Sequence, residues 1–98
     1  MNVIDTFLQG LDPRAPLGAR EYSKLRWRCR RGLLENDLLI QSFFEQHAQN
    51  LTVSQAQALY DLMDLSDNDL LDLLLKRNEL EPSFFTPERD RVLNMLRR

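Results

Sequence analysis

A chain of 98 residues can build one hydrophobic core but no interior pocket large enough to enclose a big cofactor, so any large ligand has to be met at the surface. Its composition, 43% hydrophobic and 29% charged with three glycines and four prolines, is that of an ordinary folded domain and excludes the disordered and fibrous classes. The net charge of -2 hides a polarised distribution: Arg20, Lys24, Arg26, Arg28, Arg30 and Arg31 crowd residues 20–31 against Glu21 alone, whereas Asp61, Asp64, Asp67, Asp69, Asp72, Glu79 and Glu81 outweigh Lys76 and Arg77 over residues 61–81.

The elements follow in chain order. Gly10, Pro13, Pro16 and Gly18 break any long helix near the start, so residues 1–19 read as an N-terminal extension, with residues 3–8 expected either to form one isolated turn or to remain flexible. From residue 20 to residue 98 apolar residues recur at three and four instead of alternating, which predicts helices and no sheet. The first core helix is expected over residues 20–31, with Tyr22, Leu25 and Cys29 facing inward and Lys24, Arg28 and Arg31 lining another face. Gly32 then ends it in the left-handed conformation that suits the position just past a helix. A second helix, from residue 35 or 36 to residue 49, sets Leu39 with Phe43 and Ile40 with Phe44 in two apolar rows, and leaves Asp37, Gln41 and Glu45 as its wet stripe. Thr52 and Gln55 have the spacing of a capping box, ahead of a helix that turns Ala56, Leu59, Tyr60 and Met63 inward. Ser66 and Asp69 repeat that signal before a leucine-rich helix over residues 67–76. Thr86 followed by Pro87 opens the last, because proline's fixed φ and missing N–H are harmless at the first helical position. Short connections favour antiparallel neighbours, and the expected fold is an all-α, compact single-domain bundle of about five short helices.

Chemistry is thin. Cys29 is the only cysteine and His47 the only histidine, so there is neither an internal disulfide nor a four-ligand set for structural zinc; packing has to supply the stability, which favours a reducing compartment. His47 beside the phenylalanine helix reads as a packing histidine and Cys29 as a structural thiol, so no catalytic residue and no enzyme is expected. The acids around Asp61, Asp64, Asp67 and Asp69 lack the glycine and terminal glutamate of a calcium loop; they read as solvated helix ends, with no metal site. The start has no basic segment followed by an apolar one, and charges interrupt every leucine run short of the ~20 residues that cross a bilayer. A cytoplasmic protein without membrane insertion is therefore expected. The basic helix with Trp27 could serve nucleic acid or grip an acidic protein through arginine's two-toothed fork. The acidic remainder of the chain favours the protein, and no nucleic acid is expected.

The most unusual local arrangement is Arg30-Arg31-Gly32-Leu33-Leu34-Glu35. It reads either as a helix break with a capping acid or as a tight turn that exposes Gly32 to an approaching backbone, with Arg31 and Glu35 offering opposite charges beside it. That hexad resembles the succinate dehydrogenase assembly factor family, small helical proteins with an Arg-Gly-x-x-Glu motif that promote covalent flavinylation. Here the motif is Arg31-Gly32-Leu33-Leu34-Glu35, and the similarity extends through Trp27-Arg28-Cys29-Arg30, Asp37 and Leu38, Phe43-Phe44-Glu45 and Asp69-Leu70, over about residues 24–80. Leu73 departs from the tryptophan of many members, and the first twenty-odd residues precede the usual start. The resemblance implies a non-enzymatic factor that binds the flavoprotein subunit of succinate dehydrogenase or fumarate reductase, where a histidine of that subunit bonds to FAD. It implies that the factor itself holds no cofactor tightly, and that Trp27, Arg30, Arg31, Gly32, Glu35 and Asp37 bind the partner. The alternative is a regulatory protein-binding module, such as the antitoxin half of a toxin and antitoxin pair.

Overall fold

The computed structural model describes Leu8 and residues 10–47 and 50–97. Among these residues lie five helices and no strand: α1 (Ala19–Arg28), α2 (Leu34–His47), α3 (Val53–Leu62), α4 (Asp67–Leu74) and α5 (Pro87–Leu96). Three of the starts are capped by the residues the sequence singles out. Thr52 Oγ1 accepts the Gln55 N–H at 3.2 Å while Gln55 Oε1 accepts the Thr52 N–H at 3.0 Å. Ser66 caps α4 through the Asp69 N–H at 3.1 Å, and Thr86 caps α5 through the Arg89 N–H at 3.0 Å. A side chain of this kind contributes about 1 kcal/mol by satisfying a donor that the helix cannot.

The N-terminal segment completes the cap of α3. Ala15 O accepts the Val53 N–H at 3.0 Å, Pro13 O accepts the Ser54 N–H at 2.9 Å, and the Leu17 N–H donates to Leu51 O at 2.8 Å. With Thr52 bonding Gln55, every donor of the first turn of α3 has a partner, so residues 13–17 form a strap along the start of that helix. The expected turn over residues 3–8 falls outside the described residues except at Leu8, which is buried.

Two helix ends depart from expectation. α1 stops at Arg28 with Cys29 as its C-cap, and Gly32 does not take a positive φ; the sequence's left-handed glycine cap is incorrect. The reason is that other bonds hold the exit from α1: the Arg30 backbone N–H closes the last turn onto Trp27 O, and the Asp37 side chain takes the Arg31 N–H through Oδ1 at 3.1 Å. The left-handed cap occurs instead after α4, at Lys76 with φ 62°. There the Arg77 and Lys76 N–H groups return to Asp72 O and Leu73 O at 2.8 and 3.1 Å, the paired bonds of a Schellman end.

α3 packs most extensively on α5, α2 covers α4 and α5, and α1 lies on α3. Leu25 and Cys29, Ile40, Phe43 and Phe44, Leu59 and Leu62, Leu70, and Val92, Leu93 and Leu96 are buried in one core. Leu39, Tyr60 and Met63, expected inward, are only partly covered. Tyr22 and Phe43 meet Phe44 edge-on, each with centroids 5.6 Å apart, the arrangement that sets one ring's positive edge against another's negative face.

Candidate partner-docking site

Between α1 and α2 the chain turns through residues 29–33, and Arg31 determines how that turn is held. Its side chain is only 14% exposed. The guanidinium points inward, where Nε donates to Asp67 Oδ1, Nη1 to Met63 O and Nη2 to Leu65 O, all at 2.8 Å. These carbonyls belong to the turn between α3 and α4, at a helix end where acceptors lack intrahelical donors and where a cation suits the dipole. One planar fork therefore staples the α1–α2 turn to the α3–α4 turn. The sequence sets Arg31 beside Glu35 as an opposite charge; the structure pairs it with Asp67.

Asn36 joins the same cluster. It is fully buried, and its Nδ2 donates to Asp67 O at 2.9 Å and Asp67 Oδ1 at 3.3 Å. Arg31's hydrogen bond, with a lesser contribution from that of Asn36, holds the Asp67 carboxyl below the usual carboxylate range. Asp67 is thus an engaged anchor, more than the solvated helix-end acid expected. Sequence reasoning passed over Asn36, although residues 36, 40, 43 and 44 share one helical face and place a polar side chain on the buried row.

The other motif residues face outward. Gly32 is exposed, and a Cβ built on it would meet nothing within 4 Å. Neither an unusual φ nor crowding inside the chain calls for glycine there, and the space above it is open. Glu35 is exposed on the first turn of α2. Asp37 is mostly covered and braces the turn with one oxygen, which takes the Arg31 N–H and lies 3.4 Å from the Arg30 guanidinium. Trp27 is 77% exposed, and with Arg30, Tyr22, Ser23, Arg26 and Gln41 it lines a shallow cleft of about 390 Å³. Arg26 spans this cleft's base by donating to Gln41 Oε1 at 3.1 and 3.2 Å. Leu34 and Leu38, 64% and 60% exposed, lie on the same α2 row as Gln41, so an apolar strip runs from the cleft past the turn. Of the six residues singled out, Trp27, Arg30, Gly32 and Glu35 lie at the surface, while Arg31 and Asp37 hold the turn from within.

Cys29 is fully buried, and burial pushes its thiol up to about 12, which leaves it protonated and unreactive at neutral pH. His47 packs its ring against Phe43 at 5.0 Å. Among the described residues no group of three or more His, Cys, Asp or Glu is placed to hold a metal ion, and no helix is long and apolar enough to cross a membrane.

Fold and site together define a small all-helical bundle that presents one internally braced turn at its surface. Residues 23–98 match the Sdh5 family, described as the flavinator of succinate dehydrogenase, and the chain belongs to that family. It is 47% identical over 75 residues to the FAD assembly factor SdhE of Ralstonia nicotianae, covering 76% of this chain and 79% of the relative. It is 40% identical to that of Coxiella burnetii and 42% identical to that of Legionella pneumophila strain Paris, each over 62 residues and 63% of this chain, covering 76% and 78% of those relatives. No solved structure matches the chain. The strap over residues 13–17 lies ahead of the family match.

Proposed function

We propose that this chain is a cytoplasmic assembly factor that binds the flavoprotein subunit of succinate dehydrogenase or fumarate reductase and promotes covalent attachment of its FAD. The family membership supports the class, and the relatives are named for FAD assembly. The observation that carries the docking face is Gly32: the chain has no internal need of a glycine there, so the missing side chain serves whatever approaches from outside. Glu35, Trp27, Arg30 and the exposed Leu34 and Leu38 surround that opening.

The reacting groups belong to the partner and its flavin, and this chain contributes geometry. A turn held by Arg31 and Asp37 presents Gly32 and Glu35 in one arrangement, which reduces the ordering cost of docking and keeps the partner's attachment site in the conformation that favours bond formation. Glu35 accepts hydrogen bonds from the docked loop, while Trp27 and Arg30 provide apolar and cationic contact. No nucleic acid and no tightly held cofactor enter this reading.

The test is covalent flavin fluorescence of the denatured flavoprotein subunit, from cells with the gene intact, deleted, or carrying Glu35→Ala or Gly32→Arg. Loss of signal on deletion and in both variants, with each variant expressed and folded, is the expected result. Parental fluorescence in the deletion strain, with no second factor of this kind present, would overturn the function. Parental binding of the subunit by a folded Gly32→Arg protein would overturn the docking face.

A further inference from the structure

A second concave surface lies between α4 and the segment leading to α5. Leu65, Leu73, Leu80 and Phe84 form its floor and Asp69, Glu79 and Glu81 its rim, around a volume of about 430 Å³. Among the described residues no basic side chain lines it. Among the described residues Glu79 has one cation nearby, Arg97 Nη1 at 3.5 Å, but that side chain lies beneath the surface, only 7% exposed, and is otherwise occupied with Leu73 O, Asn78 O and Asn94 Oδ1. Among the described residues no ion pair engages Asp69 or Glu81, and both are exposed.

The walls are held rigid by three arginines acting from behind. Arg97 Nε donates to Leu73 O at 2.7 Å and Nη2 to Asn78 O at 3.1 Å, fixing α4 against the following loop. Arg89 Nη1 donates to Phe84 O at 2.9 Å with its guanidinium carbon 4.3 Å from the Phe84 ring centre. Arg31 holds Leu65 through its carbonyl. A concavity fixed by charge-assisted bonds to its backbone loses little freedom when it is filled. Its size lies within the range of small binding sites and admits one leucine or phenylalanine side chain. Carboxylates on the rim of an apolar floor select the opposite sign in what lies across it, since a like charge or an uncharged polar group would leave them desolvated without a partner.

We propose that this groove docks a basic segment of another protein, one bulky apolar side chain entering the floor while flanking lysines or arginines meet Asp69, Glu79 and Glu81. The surface is separate from the Gly32 turn, and the proposal stands whether or not that turn binds a flavoprotein.

The test uses the full chain, ¹⁵N-labelled, titrated with the capped peptide Lys-Lys-Leu-Phe-Lys-Lys and with Lys-Lys-Gly-Ser-Lys-Lys. The expected result is amide shifts centred on Leu73, Asn78 and Glu81, at least tenfold tighter binding of the peptide with the apolar pair, and at least a tenfold loss in Glu81→Lys. Glu45→Lys, which reverses an exposed charge on α2, should bind as the parent does. Equal affinity for the two peptides would reduce the effect to diffuse charge attraction and overturn the proposal, as would shifts lying elsewhere or parental binding by folded Glu81→Lys. Sedimentation showing the chain paired with itself, with the pairing abolished by Glu81→Lys, would also overturn it by making the occupant a second copy.

Discussion

Replacing Arg31 by methionine keeps much of the apolar stem and removes the fork. Three hydrogen bonds of 2.8 Å disappear, and Met63 O, Leu65 O and the Asp67 carboxylate lose a charged donor together. Hydrogen bonds to charged groups contribute roughly 1.5–3 kcal/mol each when buried, and three from one side chain are not additive. Asp67 retains 36% exposure of its side chain, so water takes over part of its solvation. The expected net loss is about 2–4 kcal/mol, against a total of about 5–15 kcal/mol for a domain of this kind. Arg31→Lys keeps one cation near Asp67 but cannot place donors on both carbonyls, and should cost about 1–2 kcal/mol. Equilibrium urea unfolding followed by far-ultraviolet circular dichroism measures both, as a lower midpoint at unchanged slope. A loss below about 0.5 kcal/mol in Arg31→Met, the level of an ordinary surface substitution, would refute the staple. The same variants separate bracing from contact in cells: flavinylation should fall with Arg31's stability and recover at lower growth temperature, whereas Glu35→Ala should lose flavinylation with stability unchanged.

Three further outcomes follow from local structure. Lys76→Gly removes a Cβ from a φ of 62° and should stabilise the chain by about 0.5–1 kcal/mol, read as a raised thermal midpoint, since the Schellman bonds remain. Asp67 is held below its unfolded value, so its contribution is fully present above the unfolded carboxylate pKa of about 4 and is lost as pH falls through the lower folded value; the urea midpoint should drop on that acid limb, and Asp67→Asn should flatten it. Cys29, with its thiol pushed up to about 12 and no exposed surface, should react with a thiol reagent at pH 8 only as fast as the chain opens, and at the rate of a free thiol in urea.

Helices and their starts were legible because caps and periodicity are local. Thr52 with Gln55, Ser66 with Asp69 and Thr86 with Pro87 each act within one turn, so their spacing alone determined where α3, α4 and α5 begin. Helix ends were less legible. A glycine after a basic run has the composition of a left-handed cap, but Asp37, several residues downstream, took the Arg31 N–H instead, while a lysine adopted the left-handed role after α4 because the Schellman bonds compensate its strain. The strap over residues 13–17 was illegible for a related reason: its partners are the first donors of α3, nearly forty residues away, and backbone bonds leave no mark on side-chain pattern. The motif was visible as a motif, but its division of labour was not. Arg31 lies beyond the end of α1, where helical phase no longer says which way a side chain points, and its long stem lets the charged end reach carbonyls on another turn.

That division explains why a short motif carries both a charge turned inward onto the fold and a glycine that the fold does not need. A surface turn on a small bundle has few contacts beneath it, so its five residues would sample several arrangements unless something fixed them. Arg31 fixes it from below through the α3–α4 turn, Asp37 fixes it from the side through backbone and Arg30, and Gly32 and Glu35 are left with solvent on one face and a rigid platform on the other. Leu65 links the two surfaces, since its carbonyl accepts from Arg31 and its side chain lines the acidic groove. Loosening Arg31 therefore frees both the motif turn and one wall of the groove, whereas removing Glu35 or Glu81 alters one surface and leaves the other intact.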